Sequence, residues 1–157
     1  MRFMLNLLHT LAKLNAALAG KARSITAYDE ALALYNSGDY GKALPLMTGA
    51  AELGNTQAMS ILGSMYLLGQ GVKEDGRLAV QWLRSALEGG YVEAGSVLGM
   101  AYATGKAGVK RNLPKARMLL EAAASRGDAQ SARMLEMMHK REGMFAAPPN
   151  GQQRYHR

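Results

Sequence analysis

A stretch of 33 residues whose pattern returns once decides what this chain of 157 residues can fold into. Residues 58–90 read AMSILGSMYLLGQGVKEDGRLAVQWLRSALEGG, and residues 94–127 repeat the pattern with one extra residue. Leu62, Gly63 and Tyr66 recur 36 residues later as Leu98, Gly99 and Tyr102. Past a glycine loop, Val72, Ala79, Ala86 and Gly90 recur 37 residues later as Val109, Ala116, Ala123 and Gly127. Each unit shows helical spacing, a loop, then helical spacing again. A helix pair cannot bury its apolar face alone, so repetition at this period implies pairs stacked side by side, an α-solenoid.

The local signals set the helix ends. Asp39, Asn55, Asp75, Asn112 and Asp128 each stand where a short polar side chain can accept from the free N–H groups of a following helix. Gly54, Gly89–Gly90 and Gly127 stand where a left-handed residue closes the preceding one, and Pro114 suits a first helical turn. The expected helices are 56–68, 76–88, 92–103, 113–125 and 129–141. Residues 24–54 form an earlier pair, with Thr26 and Asp29 as a near capping box. Its loop is shorter than the next, from Tyr35 to Ala43 against Tyr66 to Ala79, and the unit resembles a tetratricopeptide pair. Residues 3–20 carry Met4, Leu7, Leu11, Leu14 and Leu18 on one face and read as a separate amphipathic helix. A secretory signal over residues 1–19 is the competing reading, with Asn6, His9, Lys13 and Asn15 interrupting its apolar centre.

The motifs resemble the Sel-one-like repeat family, a branch of the tetratricopeptide-like solenoids. Ala58, Leu62, Gly63, Tyr66, Gly69, Gly71, Val72, Asp75, Ala79, Trp82, Ala86 and Gly90 match its unit. Ala94, Leu98, Gly99, Tyr102, Gly105, Gly108, Val109, Ala116, Ala122, Ala123 and Gly127 match it again, with Leu119 and Asn112 departing from the tryptophan and aspartate. The resemblance implies a protein-binding adaptor, often in bacterial complexes, with no catalytic residues.

The expected fold is all-α: a short right-handed α-solenoid of antiparallel helix pairs, with an N-terminal amphipathic helix and a C-terminal capping helix. Its divisions are an N-terminal helix over 1–24, a tetratricopeptide-like pair over 25–57, repeats over 58–93 and 94–130, a capping helix over 131–143 and a disordered tail over 144–157.

Charge distribution narrows the partners. The net +7 places +4 on residues 1–24 and leaves residues 25–126 nearly neutral, with ten basic and nine acidic groups. A nucleic-acid binder concentrates basic charge on a folded face, so this distribution argues against one. There is no cysteine, which excludes disulfides and thiolate metal sites. His9, His139 and His156 lie too far apart in sequence to suggest a metal or acid–base pair, and no hydrolase or metalloprotease motif occurs. Gly20–Lys21 lacks the rest of a phosphate loop, and Gly69–Gln70–Gly71 is explained as a solenoid turn. The expected protein is no enzyme, needs no cofactor or metal, and is cytoplasmic, or periplasmic or secreted if residues 1–19 are a signal.

The first helix of each unit should line a concave groove. Equivalent positions give Gln57, Glu93 and Gln130, then Ser60, Ser96 and Arg133, then Ser64, Met100 and Met137. Small residues at one end with methionine and arginine at the other suit a peptide or helix from a partner protein. Packing of some of these against the next repeat is the competing reading. A second functional reading is a membrane-surface organiser held by residues 1–24.

Overall fold

A computed structural model describes residues 2–145, with side chains described from residue 9 to 141 and at Asn6. Among these residues there are seven α-helices and no strand: α1 (Arg2–Asn36), α2 (Tyr40–Glu52), α3 (Thr56–Leu68), α4 (Gly76–Glu88), α5 (Ala94–Thr104), α6 (Leu113–Ala124) and α7 (Ala129–Phe145). The pairs α1–α2, α3–α4 and α5–α6 pack as hairpins, and α2 on α3, α4 on α5 and α6 on α7 join them into a row. Of the tail over 144–157 read as disordered from its composition, residues 144–145 continue helix α7 and the rest lies outside the described residues.

The caps explain the boundaries. Asn55 Oδ1 accepts from the Ala58 N–H at 2.9 Å, Asp75 Oδ1 from Arg77 and Leu78 at 2.9 Å each, and Asn112 Oδ1 from Lys115 at 3.0 Å. Helix α5 starts two residues later than its apolar pattern suggests. The position equivalent to Asn55 is Tyr91, which cannot cap, so the chain enters through i→i+3 bonds from Ala94 to Tyr91 (3.2 Å) and Gly95 to Val92 (3.0 Å). The loops are tied back to the same place in both repeats. The Asp75 N–H donates to the Tyr66 carbonyl and the Asn112 N–H to the Tyr102 carbonyl, each at 3.0 Å.

The N-terminal helices differ from expectation. Residues 3–20 and the first helix of the 24–54 pair are one helix, α1, of 35 residues. Thr26 caps nothing: its hydroxyl donates to the Ala22 carbonyl one turn back at 2.7 Å. A threonine inside a helix can satisfy itself in this way, so a capping residue followed by an acid does not by itself start a helix.

The core is built from alanine and a few long apolar side chains. Met47, Leu62, Met65, Leu83 and Leu120 are fully buried among Ala43, Ala58, Ala79, Ala86 and Ala116. Small residues let helix axes approach closely. A Cβ on Gly63 would stand 2.7 Å from Leu83 Cγ, and one on Gly99 would stand 2.9 Å from Leu120 Cγ. The recurring Leu-Gly pair is therefore a notch that receives a leucine from the second helix of the same repeat. The extra residue of the third repeat is absorbed in a 3₁₀ turn, Lys106–Gly108, where Ala107 takes φ 55°. That left-handed alanine carries strain of about 1–2 kcal/mol.

Candidate functional site

The far end of the row, where α5 meets α7, carries open apolar ground beside charge. Helix α7 has no following partner helix among the described residues, so one of its faces stays in solvent. Met100 from α5 and Gln130, Arg133, Met134, Glu136, Met137 and Lys140 from α7 line an open trough of about 490 Å³. Three methionines form its floor and flexible thioethers adapt to irregular apolar shapes. Arg133, Lys140 and Glu136 set a rim with one net positive charge. Met137 remains 54% exposed.

The nine groove positions separate. Met100, Gln130, Arg133 and Met137 line this trough together. Glu93 and Ser96 border a second hollow of about 310 Å³ with Val92, Arg126 and Asp128. Gln57 is exposed, and Ser64 is half-buried with its hydroxyl donating to the Ser60 carbonyl at 3.1 Å. Ser60 and Ser96 are buried, at 6% and 9% exposure, and present no free side chain to a ligand. Both are packing positions and not the open groove lining expected of them: a first-helix position facing away from its own partner helix also faces the next repeat.

Ser96 is instead part of a polar cluster that fastens α7. The Ser96 and Ser131 hydroxyls each donate to Asp128 Oδ2 at 2.6 Å, and their oxygens lie 3.0 Å apart. Asp128 also accepts from the backbone N–H of Gln130 and Ser131, each at 3.2 Å. The Ser131 hydroxyl first, then that of Ser96, hold the Asp128 carboxyl below its ordinary value, because both bonds favour the ionised form. Sequence reading found Asp128 as a cap but missed the serines. The signal was Ser131 in the slot that Ala58 and Ala94 fill in the repeats, since a hydroxyl buried there needs a partner.

Replacing Asp128 with alanine removes the cap and strands two hydroxyls, with an expected cost of about 1–2 kcal/mol in the docking of α7. Because the folded carboxyl titrates below the unfolded one, its stabilisation is complete above the ordinary carboxylate range and is lost as pH falls through the lowered value. Hydrogen exchange at α7 amides, compared between the native chain and Asp128→Asn, should show a gap at neutral pH that narrows on acidification. A gap constant with pH would remove the carboxylate from this role.

Other motif residues serve the architecture. Gln70 Oε1 accepts from the Tyr35 hydroxyl at 3.1 Å, and a Cβ on Gly71 would stand 2.5 Å from the Tyr40 carbonyl oxygen. The glycine loop is thus filled by the preceding pair. Asp75 is occupied as a cap. Among the described residues no group of three acidic or histidine side chains is placed to hold a metal ion.

Comparison with known proteins agrees with this geometry. The Sel1 repeat model matches residues 56–91 and 96–128. No curated protein sequence matches the chain. Among solved structures, a Sel1 repeat protein from Oxalobacter formigenes is 27% identical with a TM-score of 0.60, over 66% of this chain and 42% of that one. A protective antigen of uropathogenic Escherichia coli displaying an SLR fold is 33% identical with a TM-score of 0.68, over 76% of this chain and 26% of that one. Helicobacter pylori cysteine rich protein B is 25% identical with a TM-score of 0.58, over 78% of this chain and 94% of that one. This chain therefore spans well under two thirds of the first two proteins. It holds its pairs together without any cysteine. The Sel1 fold serves generally as a scaffold for protein–protein interaction. The chain thus carries two Sel1 repeats, over residues 56–91 and 96–128, flanked by a shorter helix pair and a terminal helix.

Proposed function

We propose that the chain is a non-enzymatic adaptor that holds a segment of another protein in the trough between α5 and α7. The carrying observation is the methionine floor of Met100, Met134 and Met137 under a charged rim, left open where α7 has no following helix among the described residues. A trough of about 490 Å³ accepts one or two large apolar side chains of a helix or extended segment. The rim's extra positive charge favours an acidic group beside that anchor. An inhibitory partner of an enzyme or toxin is one form such an adaptor takes.

A photo-crosslinker at position 137 should capture the partner, while one at the exposed Met118 on α6 should not. Met100→Arg combined with Met137→Arg should abolish capture with the helical signal and melting unchanged. Capture unaffected by the double substitution would exclude this trough.

A further inference from the structure

The N-terminal part of α1 leaves the array. Residues 9–19 and 21–23 are exposed, and the first buried side chain among those described is Ser24, whose hydroxyl donates to the Ala50 carbonyl at 3.3 Å. Leu11, Leu14, Leu18 and Ile25 stay at least half exposed, at 51%, 56%, 58% and 50%. At 3.6 residues per turn they share an arc of about 60°. Ser24 and Ala31, which mark the side of α1 buried in the array, lie about a third of a turn away. The leucine stripe is thus a separate face and not an overrun of the core.

Charge and register identify what covers it. Residues 2–28 contain Arg2, Lys13, Lys21 and Arg23 and no acid. A second copy of the helix would meet like charge along its length. It would also have to bury Lys21, which falls in the stripe's own register between Leu18 and Ile25. The flanking positions Thr10, Asn15, Ala17 and Ala22 carry no opposite charge to specify such a pair. On a lipid surface each of these features is favourable. The Lys21 stem lies along the apolar boundary with its ammonium among headgroups, and Lys13 and Arg23, on the polar side, remain within a Debye length of anionic phosphates. No described helix is long and apolar enough to cross a membrane.

We propose that residues 9–25 of α1 bind the surface of an anionic phospholipid bilayer, with the leucine stripe in the headgroup–acyl boundary. The helix runs unbroken into the array, so the bound rod fixes the array's orientation. The array lies about a third of a turn from the stripe and is held beside the bilayer rather than against it.

The test is co-sedimentation of the full chain with vesicles of phosphatidylglycerol and phosphatidylcholine, against phosphatidylcholine alone. The chain should bind the anionic vesicles, and added salt should release it. Replacing Lys13, Lys21 and Arg23 together with glutamine should weaken partitioning on the order of a hundredfold. Leu11→Gln with Leu14→Gln and Leu18→Gln should abolish it, with the array's melting unchanged. Amides of residues 9–25 should gain exchange protection on the wild-type chain when vesicles are added. Absence of binding to anionic vesicles, or equal binding by either triple variant, overturns the proposal. So does a dimer in ultracentrifugation that the leucine variant returns to monomer while the wild-type chain ignores vesicles; that result would assign the stripe to a second copy.

Discussion

Gly71→Ala is expected to lower the melting temperature by roughly 10 °C. Two independent costs meet at this position. Gly71 has φ 71°, where an alanine is strained by about 1–2 kcal/mol. Its added methyl would also stand 2.5 Å from the Tyr40 carbonyl oxygen and 2.7 Å from the carbonyl carbon, which are backbone atoms with no rotamer to yield. Overpacking of that kind costs about 1–3 kcal/mol. Gly54→Ala is the control, because Gly54 has φ 90° but nothing within 4 Å of the added methyl. It should lose only the first of the two amounts. Equal losses at Gly71 and Gly54 in calorimetry would mean that the loop of one repeat does not bear on the helix start of the preceding pair.

The second large effect belongs to the notch. Leu83→Ala should cost about 3 kcal/mol, since the side chain is fully buried in a cluster where Ala79, Ala86, Ala94 and Ala101 have little to refill the space. Gly63→Ala has opposing contributions. Helix propensity favours alanine by about 1 kcal/mol, but the new methyl would lie 2.7 Å from Leu83 Cγ, the branch point of a packed side chain, and 3.1 Å from the Ala79 carbonyl oxygen. The steric cost, about 1–3 kcal/mol, wins. Combined, the two changes should cost less than their sum by about 1 kcal/mol, because the methyl enters space the leucine vacates. The same cycle on Gly99 and Leu120 should give a similar coupling, as the distance there is 2.9 Å. Additive losses in urea titration at both sites would remove the notch as the reason these glycines recur.

The distinction between local and non-local physics explains what could be read beforehand. Asn55, Asp75 and Asn112 were legible because a cap bonds to its own chain two or three residues on. Gly63 and Gly99 were legible because repetition exposes a pattern that a single copy hides. The continuity of α1 was not. Thr26 has the chemistry of a helix start, and only tertiary support decides whether residues 9–23 prolong a helix already held over 24–36. Ser60 and Ser96 illustrate the same limit from the other side. Their angular position on the helix was right, but whether that face meets water or the next repeat depends on the stacking of whole units. Met134, Glu136 and Lys140 line the trough for the same non-local reason: with no helix after α7 among the described residues, positions without a groove counterpart in the repeats stay open.

Among the described residues helix α7 is anchored from one side only, by α6 and α5, and by the Ser96–Asp128–Ser131 cluster at its start. In a row whose members lean on their nearest neighbours, unravelling begins where a neighbour is missing. The floor of the methionine trough is made mostly of that last helix, so the surface suited to a guest is also among the first to dissolve when vacant. An occupant would then act as the absent neighbour, and its grip would be measurable as slower opening of α7 while the middle of the row remains unchanged.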